Sequence, residues 1–201
     1  MRKRYYFIIY LLIFQTITIN VAFGETMETQ TSLSSDRPKH WAVPLNQAGL
    51  PNFNKVTEDL YRGAQPTAEG IVALKKLGIR TIVNLRSFHT DKDEIGSTEI
   101  AYEHIYMKTW HPEKEDIIRF IRIVIDKTRI PVFVHCQHGA DRTGTMCAIY
   151  RIVISGWTKE EAIKEMTQGG FGFHKIWANL IDFINNLDIE TIRQELSLKK
   201  E

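Results

Sequence analysis

Apolar positions fall into two periods along this 201-residue chain. Ile79–Leu85 and the run Ile130–Val134 are largely apolar and rich in β-branched residues and predict a central and a buried strand, and Tyr102–Met107 predicts another. Phe53–Gly63 alternates and predicts a short strand pair around a turn at Glu58-Asp59. Helical spacing takes over between these runs. Thr67 caps a predicted helix that reaches Leu77 and stops at Gly78. Asp91–Ile100 is charged and predicts a short helix. Pro112 suits the first turn of another, running to about Lys127 with Ile117, Ile118, Ile121, Val124 and Ile125 on one face. Thr143–Ser155 predicts a helix stopped by Gly156, and Thr158-Lys159-Glu160-Glu161 is a capping box that opens the next. Gly169–His174 is a flexible turn, and Trp177, Leu180, Ile181 and Ile184 place a last helix from about Lys175. Strands alternating with helices predict an α/β fold of three layers, a central mixed, mostly parallel sheet flanked by helices.

Composition is that of an ordinary globular chain, long enough for one sizeable core. The N-terminus stands apart. Arg2, Lys3 and Arg4 precede an apolar run from Tyr5, and Ala22-Phe23-Gly24 offers small residues where a signal peptidase reads, so residues 1–24 are expected to be a signal peptide cleaved after Gly24. Gln15, Thr16, Thr18 and Asn20 make the same stretch a poor permanent span. The organisation expected is a signal peptide over 1–24, a flexible leader over 25–40, a domain over 41–190 and a charged tail over 191–201, in an exported, periplasmic or secreted protein. Loss of residues 1–24 takes the formal net charge from +2 to −1, and no case for nucleic-acid binding survives it.

The chemistry gathers at Ile130–Thr145. A buried strand gives way to the loop Cys136-Gln137-His138-Gly139-Ala140-Asp141-Arg142, which feeds a helix. A strand–loop–helix turn stacks backbone N–H groups at one point and aims a helix N-terminus at it, which suits phosphate. Cys136 opens the loop, where a helix N-terminus and a nearby cation favour the thiolate. Arg142 closes it with a planar fork for two phosphate oxygens. A nucleophile, an anion cradle and a clamp in one loop point to phosphoryl transfer through a phosphocysteine. Cys147, eleven residues on, reads as core.

His135-Cys136 through Arg142-Thr143-Gly144 resembles the HCxxGxxRTG signature of the cysteine-dependent, dual-specificity-type protein tyrosine phosphatases. Phe53–Gly63 is similar to the stretch that opens their catalytic domain, and Asn84-Leu85-Arg86 to a motif of bacterial relatives; the resemblance covers about Phe53 to Leu187. It implies Cys136 as nucleophile and Arg142 as phosphate clamp. Gln137, His138, Gly139, Ala140 and Thr143 would complete the phosphate cradle, the Thr143 hydroxyl steadying the thiolate and His135 buried beside it. Arg62 reads as a structural ion-pair partner, and Arg86 as a structural or solvated arginine at a strand end. The implied substrates are phosphorylated proteins, inositol phosphates or phosphoinositides, with no cofactor and with membrane contact only through the signal segment or a lipid substrate.

One feature departs from the family. The loop Lys108–Pro112, where most tyrosine phosphatases carry an acidic proton donor, has no carboxylate. Cys136-x4-Asp141-Arg142-Thr143 instead resembles myotubularin-type lipid phosphatases and a group of secreted bacterial phosphatases, in which the loop Asp is assigned as general acid. Asp141 is therefore the expected donor and Asp116 the alternative. His138 would favour multiply charged substrates. A phosphate-binding module without turnover remains the other class, and a rhodanese-type sulfurtransferase is disfavoured by the Arg142-Thr143-Gly144 closure. The seven histidines show no metal-ligand spacing in sequence.

Overall fold

The computed structural model describes residues 37–198. The expected signal peptide and the part of the expected leader over 25–36 lie outside the described residues. Strands β1 (Val43–Pro44), β2 (Asn54–Lys55), β3 (Leu60–Gly63), β4 (Thr81–Asn84), β5 (Ala101–His104) and β6 (Val132–His135) form one sheet in the order β1-β2-β3-β6-β4-β5. β1, β2 and β3 pair antiparallel, and β3, β6, β4 and β5 pair parallel. β6 is central, with His135 in register between Gly63 and Asn84.

Helices α1 (Ala68–Lys76) and α2 (Lys92–Ile95) lie on one face. There Leu50, Phe53, Ile71, Leu74, Ile82 and Phe133 close a small core. Helices α3 (Lys114–Ile125), α4 (Asp141–Val153), α5 (Lys159–Gln168), α6 (Ala178–Asn186) and α7 (Ile189–Glu195) belong to the other face, where Val83, Val132, Val134, Phe120 and Ile149 lie in the large core. Phe133 serves one face and Val132 and Val134 the other, the period-2 alternation of a strand buried on both sides. The three layers and mostly parallel sheet are those expected from the pattern. α4 is buried at every residue except Arg142, which makes it the spine of its layer.

Two caps form as read. Thr67 accepts from the Gly70 N–H, and Thr158 and Glu161 close a reciprocal capping box. Four boundaries differ. α4 begins at Asp141 rather than Thr143, so the acid and Arg142 both stand on its first turn. α3 begins at Lys114, because Lys108 and His111 bridge across a turn and hold Pro112 outside the helix. Lys175–Trp177 is a 3-10 turn ahead of α6. The charged tail drawn from 191 is corrected: α7 is capped by Asp188, which accepts from the Thr191 N–H, and it buries Ile192 and Leu196. At the other end, Arg37 donates to the carbonyls of Gly169 and Ala42, so the expected leader is already tied down by residue 37. Among the described residues no helix is long and apolar enough to cross a membrane.

Candidate active site

The site is built where the parallel strands end. Leu85 N–H donates to the His135 carbonyl at 2.8 Å, closing the β4–β6 ladder one residue before the loop. Cys136 follows, 2% exposed, and the chain turns through Gln137 and His138, both exposed, to Gly139 and Ala140, both buried, and into α4. The 13 residues of α4 aim its N-terminal N–H groups at this loop.

Glycine is required at 139. Its φ is +69°, and a Cβ there would meet Gly63 C and O at 2.5 Å and Ala64 N at 2.6 Å. This close approach lets the Gln65 N–H donate to the Gln137 carbonyl at 3.2 Å. Arg62 lies beneath. Its Nη2 donates to the Gly139 carbonyl at 2.7 Å, and its guanidinium lies 3.7 Å from the centroid of the Phe171 ring. The ion-pair role expected of Arg62 is corrected: it supports a backbone carbonyl and an aromatic face. Asn52 Nδ2 bridges the His138 and Phe171 carbonyls at 3.0 and 2.8 Å.

His135 is fully buried. Its Nδ1 lies 3.2 Å from the Cys136 carbonyl and its Nε2 2.7 Å from Asp91 Oδ2. Gln65 Nε2 donates to the other Asp91 oxygen at 2.7 Å. Burial of Asp91 favours its neutral form, but the bonds from His135 and Gln65 outweigh it and hold the carboxyl below its ordinary 3.8. Arg86 Nη1 donates to Gln65 Oε1 at 3.2 Å, which makes it a structural arginine on the same network. Asp91 and Gln65 were not singled out in the sequence. They come from two loops, and only the crossover around β6 brings them to its end.

Arg142 is half-buried, and its Nη1 donates to the Leu85 carbonyl at 3.2 Å, holding the fork at the loop mouth. The Thr143 hydroxyl is buried with no partner among the described residues. Asp141, 6% exposed, accepts from the His174 N–H at 2.9 Å and lies 2.9 Å from its Nδ1. His138, Asp141 and His174 bring their donor atoms within 4.8 Å of one another, as do His89, Asp91 and Glu94, so the histidines scattered in sequence are partly gathered in space. Asp116, on the first turn of α3, has its carboxyl raised by burial and by the neighbouring Glu113. Cys147 is buried inside α4, its thiol pushed up to about 11 by burial, and is not a second nucleophile at neutral pH.

Comparison with known proteins agrees with this geometry. The family model described as DSP-PTPase phosphatase fused to NAD+ kinase matches residues 38–179. The dual specificity protein phosphatase TpbA of Pseudomonas aeruginosa is 30% identical over 166 residues, 80% of this chain and 72% of that protein. Inositol diphosphatase DSP3 of Arabidopsis thaliana is 27% identical over 152 residues, 71% of this chain and 73% of that one. The crystal structure of P. aeruginosa TpbA matches with a TM-score of 0.72 at 26% identity, covering 80% of this chain and 99% of the other. The Siw14 catalytic core shares the fold, with a TM-score of 0.66 at 20% identity over 77% of this chain and 95% of that one.

Proposed function

The chain belongs to the DSP-PTPase family, the dual-specificity-type cysteine-dependent phosphatases, and from that membership we propose that it hydrolyses phosphomonoesters of phosphotyrosine proteins or of inositol phosphates and phosphoinositides. The observation that carries the reading is the loop itself. Cys136 lies at its foot, Arg142 is tethered at its mouth, and a helix N-terminus points between them. The substrate classes are supported by two relatives: a TpbA variant solved in complex with pTyr, at 26% identity and TM-score 0.72, and the inositol diphosphatase DSP3.

In this mechanism Cys136 Sγ attacks phosphorus in line and forms the S–P bond as the P–O bond to the leaving group breaks. The loop amides from Gln137 to Ala140 and the Arg142 fork hold the equatorial oxygens. Thr143 steadies the thiolate with its otherwise unpartnered hydroxyl. Asp141 gives the leaving oxygen its proton while His174 holds the carboxylate against the loop. Water then attacks phosphorus, with the same carboxylate as base, and releases phosphate and the thiolate. The reading includes export after loss of residues 1–24, testable by N-terminal sequencing of the chain recovered outside the cytoplasm.

The test is phosphate release under reducing conditions with chelator present. The panel holds a phosphotyrosine peptide, a phosphoserine peptide, a phosphoinositide and inositol hexakisphosphate. Turnover is expected, and Cys136→Ser abolishes it. Asp141→Asn is expected to lower kcat by about 10²–10⁴-fold; an unchanged kcat moves the acid to Asp116. Phosphate bound without turnover would favour a binding module, the second reading, which the carboxylate-free loop at Lys108–Pro112 keeps in view.

A further inference from the structure

Large apolar side chains exposed to water are unevenly placed on this molecule. Among the described residues the four most exposed are Phe88 (92%), Ile176 (80%), Tyr106 (62%) and Trp110 (60%). All four come from connections at one edge. Phe88 follows β4, Tyr106 and Trp110 follow β5, and Ile176 lies in the turn bonded to the catalytic loop. Hydrogen bonds join these connections into one rim. His104 Nε2 donates to the Arg86 carbonyl at 2.6 Å, Ser87 Oγ to the Met107 carbonyl at 2.9 Å and Asn179 Nδ2 to the Thr109 carbonyl at 2.8 Å. The His174 N–H closes the circuit onto Asp141 at 2.9 Å.

Within the rim segments themselves the fixed charge is positive, with acids at their borders. The segments 86–90, 104–112 and 169–179 contain Arg86, Lys108 and Lys175 and not one Asp or Glu. Of the acids that adjoin them, Asp91 and Asp141 are buried, Glu103 is paired with Arg119 and Arg129, and Glu94 and Glu113 lie 4.0 and 3.8 Å from His89 and His111. Yet the chain beyond residue 24 carries a formal charge of −1, so the cationic rim is a local feature.

We propose that this rim seats the catalytic face on an anionic lipid bilayer. Tryptophan, tyrosine and phenylalanine with flanking lysines are the side chains that settle at a bilayer interface, the rings at headgroup level and the ammonium groups on the lipid phosphates. The four apolar side chains stand out from three connections, each with most of its surface in water. That arrangement gains more from entering an interface than from a polypeptide, which is held in a cleft or along a sheet edge. Docking so aims the Cys136 loop at headgroups. The substrate class it selects, a lipid-borne phosphomonoester, rests on the phosphatase reading above; the docking itself does not.

The test uses tryptophan fluorescence of the full chain with vesicles of brominated phosphatidylserine or brominated phosphatidylcholine. Residues 1–36 contain no tryptophan, so quenching reports only on Trp41, Trp110, Trp157 and Trp177. The emission that disappears in Trp110→Phe is expected to fall at least twofold, an estimate from interfacial burial, on anionic vesicles and to stay unquenched on zwitterionic ones. Lys108→Gln with Lys175→Gln should weaken anionic vesicle binding on the order of 10–30-fold. Cys136→Ser should insert like the parent. Unquenched Trp110 on anionic vesicles overturns the proposal, as does equal quenching on both lipids. A response of Trp110 to a phosphotyrosine peptide alone would assign the rim to a polypeptide instead. Turnover of the four-substrate panel above, measured on the same samples, keeps the two readings apart. Vesicle insertion with turnover of no member of the panel sinks the phosphatase and leaves the docking, and turnover without insertion does the reverse.

Discussion

Arg62 and Asp91 reach the catalytic loop from opposite neighbours of β6, one from β3 and the other from just beyond β4. Neither is placed to hold phosphate, and each is buried. Asp91 meets partners that want a negative charge, the His135 ring and the Gln65 amide. Arg62 meets no carboxylate in a hydrogen bond. Its cation rests on the Gly139 carbonyl and the Phe171 ring, its Nε is unpartnered among the described residues, and burial pushes its pKa below the ordinary guanidinium value. The Asp91 support is thus a matched electrostatic contact that a polar isostere can partly replace. The Arg62 support is a shape as well as a charge, and nothing of similar volume reproduces both.

That difference can be broken by substitution. Arg62→Met keeps bulk but removes a charge-assisted bond and a desolvated cation–π contact, which together stabilise the fold by roughly 3–5 kcal/mol. Denaturant unfolding should show that loss, and Arg62→Lys should recover only a minor part of it. Equal stability of Arg62→Lys and the parent would mean that charge alone matters. Asp91→Asn keeps an acceptor for His135 and should cost less, about 1.5–3 kcal/mol.

Asp91 also carries a pH signature. Its carboxyl is held below 3.8 in the fold, so the unfolded chain takes up a proton first as pH falls. Its stabilisation is fully present above the unfolded value and is lost as pH drops through the folded one. The stability gap between the parent and Asp91→Asn should be flat between pH 5 and 7 and narrow below about 3.8. A gap that is unchanged down to pH 3 would remove the carboxylate–imidazole account.

How far this arrangement is legible from sequence follows the same division. The loop, the strand before it, Cys136 and Arg142 are contiguous, and their order alone specifies a strand, a tight turn and a helix start. The Thr67 and Thr158 caps are equally local. Asp91 reaches His135 across 44 residues of chain, Gln65 reaches Asp91 across 26 and His174 reaches Asp141 across 33, and no local pattern marks them. α7 was obscured differently. Its seven residues carry too little periodicity to stand out against the charges around them, although Asp188 three residues before Thr191, with Ile189, Ile192 and Leu196, was the signal present.

The smallest expected effect tests whether the two supports are independent. Asn52 ties the His138 carbonyl to the Phe171 carbonyl, so it belongs to the Arg62 side of the loop. Its φ is +51°, a conformation asparagine tolerates and alanine resists. Asn52→Gly removes these two neutral hydrogen bonds and the long 3.4 Å one its Oδ1 accepts from Asn54 Nδ2, without backbone strain, and should cost about 1–2 kcal/mol, and Asn52→Ala about 1 kcal/mol more. Combined with Arg62→Lys, Asn52→Gly should depart from additivity by at least about 0.5 kcal/mol, because both act through Phe171 and the loop carbonyls. Combined with Asp91→Asn it should add within about 0.3–0.5 kcal/mol. Coupling of Asn52 to Asp91 as strong as to Arg62 would mean that the loop is one cooperative unit and that its two supports cannot be told apart by their energies.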